Sequence, residues 1–301
     1  MPEKSLSVLL LEKSAAAEFR YSLPPERIEM NVASLKIAYA LLFLFILCSS
    51  AFAAAQMENS VYELSLAGVH IGDLSLTAVK NGSSIKLGSE VSTKPWASVF
   101  YEVRDTSESI LLQSGRKDLP KNFPFVPSVY KVELNEGPHK IRKEFRFDYS
   151  KKTVAYNDIL KKETGSYALN ALTFDPLSAL YYIRRVPLNV GQPVFINVFN
   201  NKKIYRIEVQ VLRKEQVKTP AGTFNTIVVR SNMDDVGDGI IYYPGDIYLW
   251  LNDDPERTPV IIEKRLTPLV EGRLPDFIKG RMPDFLKEKI ATGAVRAVLV
   301  K

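Results

Sequence analysis

The chain has 301 residues, 46% of them hydrophobic, 25% charged and 10% aromatic, with a net charge of +6. That composition excludes general disorder and supplies enough apolar material for a sizeable core. A single cysteine excludes an internal disulfide, a cysteine zinc cluster or an iron–sulfur site held by this chain, and two histidines, His70 and His139, exclude a three-histidine metal site.

Residues 37–47 form an unbroken apolar run, preceded by Lys36 and followed by Ala51-Phe-Ala53. A basic flank, about ten apolar residues and an A-x-A exit are the parts of a secretory signal peptide, and the run is shorter than the ~20 residues of a bilayer span. The expectation is an exported protein with a signal peptide over 30–53, cleaved after Ala53 or Ala55; an uncleaved signal anchor is the alternative. Signal peptides begin near their apolar run, so Met30 is the expected start and residues 1–29 a leader upstream of it. Bulky Leu47 before Cys48 argues against lipid attachment, which leaves a cysteine-free mature chain over 54–301. Residues 1–53 carry five basic and five acidic side chains, so the charge stays at +6. The absence of a long basic block gives nucleic-acid binding no support.

The mature region alternates with a period of two, the mark of strands with one buried face. Strands are expected at Val61–Leu66, Leu74–Val79 and Ile85–Val91, the last two joined by an Asn81-Gly82 turn. Ser109–Gln113, Val129–Leu134 and Ile141–Tyr149 follow; in the last, Phe145, Phe147 and Tyr149 oppose Glu144, Arg146 and Asp148. A helix is expected from Asp175, which caps it, through Pro176, Leu177, Leu180, Tyr181 and Ile183 to Arg184-Arg185, with Pro187 ending it. Val194–Phe199 and the strand from Lys203 form a hairpin about Asn200-Asn201; Tyr205, Ile207, Val209 and Val211 lie on one face of the second strand. Phe224–Arg230, Ile247–Leu251, Val260–Lys264 and Val295–Val300 complete the set. Roughly a dozen strands with one short helix near 175–186 predict an all-β fold: an antiparallel barrel, an open half-barrel or a sandwich, as one domain over 54–301.

A repeat interrupts this pattern near the end. Leu274-Pro-Asp-Phe-Ile-Lys279 is echoed by Met282-Pro-Asp-Phe-Leu-Lys287, within an insertion at about 267–292. It presents Phe277, Ile278, Phe285 and Leu286 either as an interaction patch for a partner or a membrane surface, or as apolar cover for the barrel.

Chemistry is sparse. There is no G-x-S-x-G elbow, no H-E-x-x-H helix and no Walker loop. Asp234, Asp235, Asp238 and Asp246, with Asp253-Asp254 beyond them, lack calcium-loop spacing and read as turns. No catalytic residue, metal site or cofactor is assigned. Aromatic residues are in excess, and Trp96, Tyr181, Tyr182, Tyr248 and Trp250 are the candidates to line a ligand pocket in the barrel, the alternative being a solid aromatic core.

Three segments, Asp175-Pro-Leu-Ser-Ala-Leu-Tyr-Tyr-Ile-Arg184, Thr219-Pro-Ala-Gly-Thr-Phe224 and Trp250-Leu-Asn-Asp-Asp-Pro-Glu-Arg-Thr-Pro-Val260, with the early 62–73 hairpin and the closing 293–299, resemble the bacterial family catalogued as domain of unknown function 3108. The resemblance covers nearly the whole mature region and departs from the family pattern at about 267–292. It implies an exported, envelope-associated β protein of a Gram-negative bacterium, in the periplasm or on the periplasmic face of the outer membrane. It supplies no activity and no catalytic residues. The first functional expectation is a non-enzymatic binder of an amphiphile or envelope polymer in a barrel cavity. An envelope scaffold or assembly factor that meets a protein partner through surface contacts is the second. A glycan enzyme using carboxylates of the Asp234–Asp254 region is the third.

Overall fold

In the computed structural model, residues 56–66, 68–200, 202–232, 245–266 and 294–301 are described. The leader and signal peptide at 1–53, the Asp234, Asp235 and Asp238 carboxylates, Tyr242, Tyr243, and the repeat with Phe277, Ile278, Phe285 and Leu286 lie outside the described residues.

Alternation of apolar and polar side chains gives most strands one dry face, and among the described residues fifteen strands join by hydrogen bonds into one sheet. The first eight are β1 (Gln56–Leu66), β2 (Val69–Asn81), β3 (Ser84–Thr93), β4 (Arg104–Gln113), β5 (Phe125–Glu136), β6 (His139–Asp148), β7 (Thr153–Asp158) and β8 (Glu163–Ala168). The other seven are β9 (Thr173–Phe174), β10 (Val194–Asn200), β11 (Lys203–Thr219), β12 (Gly222–Asn232), β13 (Gly245–Asn252), β14 (Pro259–Leu266) and β15 (Ala294–Leu299). A four-residue helix α1 (Pro95–Ser98) lies between β3 and β4, and α2 (Pro176–Ile183) between β9 and β10.

The order is β8-β7-β6-β5-β4-β3-β2-β1-β15-β14-β13-β12-β11-β10-β9. Two meanders are thus sewn together where β1 meets β15, from Tyr62 opposite Leu299 to Leu66 opposite Val295. The tight turn between β2 and β3 carries Gly82 at φ +53°, a left-handed conformation that costs glycine little. All pairings are antiparallel except β9 with β10. That exception has a cause: α2 carries the chain from one strand back to the start of the other, and parallel neighbours require such a crossover.

The all-β fold is therefore an open barrel with a short interior helix where one was expected. β7 to β9 were not anticipated, because their sequences are polar or too short to show a period. The ladder does not close, and β8 and β9 are its two edges. Side chains bridge the seam instead. Phe199 of β10 packs against Phe145 and Phe147 of β6 at centroid distances of 5.7 and 6.3 Å and against Tyr167 of β8 at 5.7 Å. The Tyr149 hydroxyl, just past β6, donates to the Thr173 carbonyl of β9 at 2.5 Å. Lys202 pairs with Glu163 of β8 at 3.1 Å. β12 is dry on both faces: Ile227 and Val229 point inward, while Val228 points outward against Trp250, Val260 and Ile261.

Candidate binding cavity

The helix α2 shapes the interior, and its first turn is fixed by a fully buried acid. The Asp175 carboxylate accepts hydrogen bonds from the Leu177 and Ser178 amides at 3.0 and 2.9 Å, and the Ser178 hydroxyl completes a capping box. The Ser109 hydroxyl of β4 donates to the same carboxylate at 2.7 Å, which pins the helix to the wall. Burial pushes the Asp175 carboxyl up, against these hydrogen bonds.

The other end of the helix is held by charge. Arg184 reaches Glu58 of β1 at 2.7 Å and donates to the Glu256 carbonyl at 2.8 Å and the Arg257 carbonyl at 3.1 Å. Arg185 bonds Glu58 at 3.0 Å, the Tyr181 hydroxyl at 3.2 Å and Glu256 at 2.8 Å, and this contact holds the Glu256 carboxyl below its ordinary range. Both guanidinium groups stack on the Tyr181 ring, at 4.9 and 5.1 Å. Arg257 answers with a hydrogen bond to the Val186 carbonyl. The fully buried Tyr62 donates to the Pro259 carbonyl at 2.9 Å, and burial pushes its hydroxyl up to about 12. Helix, first strand and the turn before β14 thus lock one end of the barrel.

Above this plug lies a cavity of about 330 Å³. Leu177, Ala179, Leu180 and Ile183 of α2 form its floor. One wall is Leu74, Leu76, Val91 and Val132; the other is Ile207, Val209, Leu249, Ile262 and Ala297. The lining is aliphatic apart from Tyr130 and a few polar groups, among them Ser89, Thr106, Ser107 and Ser231. Two charged residues face in. Asp105 of β4 accepts from the Asn135 amide at 2.9 Å, and burial pushes its carboxyl up. Lys264 of β14 is 8% exposed, and burial pulls its ammonium down to about 8. A larger hollow of about 590 Å³ is a groove over β2 to β6, reached by Ile159 just past β7. Charges on its walls answer each other, as in Lys86 with Glu108 and Arg142 with Glu133, each at 2.6 Å.

None of the five aromatic candidates lines the cavity. Trp96 is 44% exposed on α1. Tyr181 belongs to the arginine clamp, and Tyr182 stacks on Phe174 at 4.4 Å. Tyr248 and Trp250 point out of the barrel: Arg265 lies 4.1 Å over the Tyr248 ring, and the Trp250 indole donates to Glu215 at 2.6 Å. The described acids of the Asp234–Asp254 region are dispersed. Asp246 pairs with Arg230 at 3.8 Å, Asp253 with Lys214 at 2.7 Å, and Asp254 accepts from the Arg257 amide at 2.7 Å. Among the described residues, no cluster of three or more His, Cys, Asp or Glu is placed to hold a metal. His70 bonds the Gly72 carbonyl and Asp73, away from the cavity.

The sequence signal for Lys264 was present but masked. It stands two residues after Ile262 and so shares its face, yet its neighbours Glu263 and Arg265 make the triplet read as a solvated strand end.

The three motif segments converge at the plugged end. The Asp175 helix grips the 253–258 turn, whose Asp253 amide donates to the Asn225 carbonyl at 2.8 Å, next to the 219–224 turn. Residues 61–268 match the family model described as Protein of unknown function (DUF3108). The chain belongs to this family. In this DUF3108 protein the matched segment contains α2, both arginines of the clamp with Glu256 but not Glu58, and both walls of the cavity except for the β15 residues. No curated protein matches it. Among solved structures, it is similar to the crystal structure of a beta-barrel-like protein of domain of unknown function DUF1849 from Brucella abortus. The two share 10% identity over 81% of this chain and 95% of that one, with a TM-score of 0.42.

Proposed function

We propose that this protein is an exported, non-enzymatic binder that takes the apolar part of an amphiphile into the barrel. The supporting observation is the aliphatic cavity of about 330 Å³ above α2. Ligand pockets start at about 300 Å³ and combine apolar walls with a few placed polar groups. At ~30 Å³ per group, the share of a water in the liquid and close to that of a methylene, the space takes about ten methylenes. That suits a flexible chain better than a flat sugar, which would need aromatic platforms and hydrogen-bonding groups along the wall. Export, with the periplasm as destination, rests on the apolar leader at 37–47.

The test is displacement of an environment-sensitive hydrophobic dye by dodecanol. The expected result is saturable displacement in the native protein and at least a tenfold loss of affinity in Ala297→Phe, whose added ring occupies the cavity while melting stays cooperative. Unchanged binding in that variant would remove the cavity from the argument.

A further inference from the structure

We infer that the barrel end opposite the arginine clamp docks on an anionic lipid bilayer, with Trp96, Val99, Ile159 and Leu160 entering the interface and Lys140, Lys161 and Lys162 meeting lipid phosphates. None of these residues lines the cavity, so the inference goes beyond the binding reading and stands without it. Strand direction places this end. β1 starts at the clamp, where Glu58 holds Arg184, and runs away from it. In an antiparallel meander the turns alternate between the two ends, so the segments after β3, β5 and β7 all stand at the far one. They follow one another around the rim at two strand spacings, about 10 Å each. Hydrogen bonds tie the first two together: the Gly137 amide donates to the Glu102 carbonyl at 2.8 Å, and the Tyr101 hydroxyl donates to the Glu136 carbonyl at 2.9 Å. The third is tied to β6, where the Ile159 amide donates to the Arg142 carbonyl at 2.9 Å.

Large apolar side chains stand in water along this rim. Val99 is 77% exposed, Leu160 50%, Trp96 44% and Ile159 43%. The exposed acids beside them are already taken, Glu102 by Arg104 at 2.8 Å and Glu163 by Lys202 at 3.1 Å. Lys140, Lys161 and Lys162 are exposed and pair with no described acid, so the rim keeps a positive excess. That combination selects the occupant. Lysine is depleted at protein–protein interfaces, whereas each lysine near an anionic membrane surface strengthens attachment by about fivefold. Tryptophan settles at headgroup depth, and aliphatic side chains gain by leaving water for the acyl boundary.

The experiment is co-sedimentation of the purified native protein with vesicles of phosphatidylglycerol and of phosphatidylcholine. Association with phosphatidylglycerol is expected to be at least about tenfold stronger. It should fall by about a hundredfold in the triple variant Lys140→Gln, Lys161→Gln, Lys162→Gln, and by at least about tenfold in the double variant Val99→Ser, Leu160→Ser. Leu112→Ser, at a residue 45% exposed on β4 toward the clamped end, should bind as native protein does. Trp96 reports depth. Vesicles with brominated acyl chains should quench the native protein and not Trp96→Phe, because the second tryptophan, Trp250, is buried. Absent or equal association with the two vesicles would overturn the inference, as would a loss in Leu112→Ser matching that of the double variant, or quenching unchanged by Trp96→Phe. So would self-association of the native protein that the double variant abolishes, which would make the rim a contact between copies of this chain. None of these outcomes bears on the cavity, which the dye displacement tests separately.

Discussion

Below pH 8 Lys264 carries its charge in both the folded and the unfolded chain, and the folded state alone bears the cost of its burial. Between about 8 and the ordinary 10.5 the unfolded chain holds the extra proton, so stability rises with pH through this window. Above it both states are neutral and the penalty is gone. Replacing Lys264 by Met is expected to stabilise the protein at pH 7 by on the order of 3 kcal/mol, a gain that vanishes by about pH 10.5. Urea unfolding of both proteins at the two pH values checks this. A variant no more stable than native protein at pH 7 would show that the ammonium is compensated in the folded state, by water or by a partner.

The helix α2 and the strands around it show which parts of a sequence announce themselves. Asp175-Pro176 marks a helix start because capping and proline geometry are local, and the structure places the helix there. β11 was legible because Ile207, Val209 and Val211 alternate with charged or polar residues. β13 was legible as a strand but not in its facing: Ile247, Leu249 and Leu251 are as apolar as Tyr248 and Trp250, so alternation cannot say which set faces in. Aromatic size pointed to Trp250 and Tyr248 as pocket residues, and the aliphatic set took the interior instead. The arginine clamp was invisible, since its partners Glu58 and Glu256 stand more than seventy residues from Arg184 and Arg185. Its worth is testable. Arg184→Ala removes a nearly buried guanidinium, strips Glu58 of one partner and leaves backbone carbonyls unanswered. A loss of about 3 kcal/mol is expected in the unfolding free energy from urea titration, with Arg184→Lys recovering only part of it, because an ammonium lacks the guanidinium fork.

Across the full sheet, stability divides at the seam. Every inner strand is hydrogen-bonded on both sides, while β8 and β9 each offer one free edge. Both edges are short, six and two residues, which limits pairing with other chains. Hydrogen exchange is expected to be fastest there and slowest in β1, β15 and β14. Phe199 is 2% exposed and holds the seam through three aromatic neighbours. Phe199→Ala is expected to cost about 3–5 kcal/mol and to raise exchange in β8 before it does so in β1. Uniform acceleration through all strands would instead mean that the seam opens only with global unfolding.

In a fully closed barrel, strand number and stagger dictate girth, and a wider guest can be accommodated only by breaking the ladder. Here the circumference ends in rings, a lysine–glutamate contact and a tyrosine hydroxyl on a strand carbonyl rather than in a backbone ladder, so parting the two lips would leave every rung of the sheet intact. The described sheet is a split collar, held shut by side chains where a closed barrel would use backbone bonds.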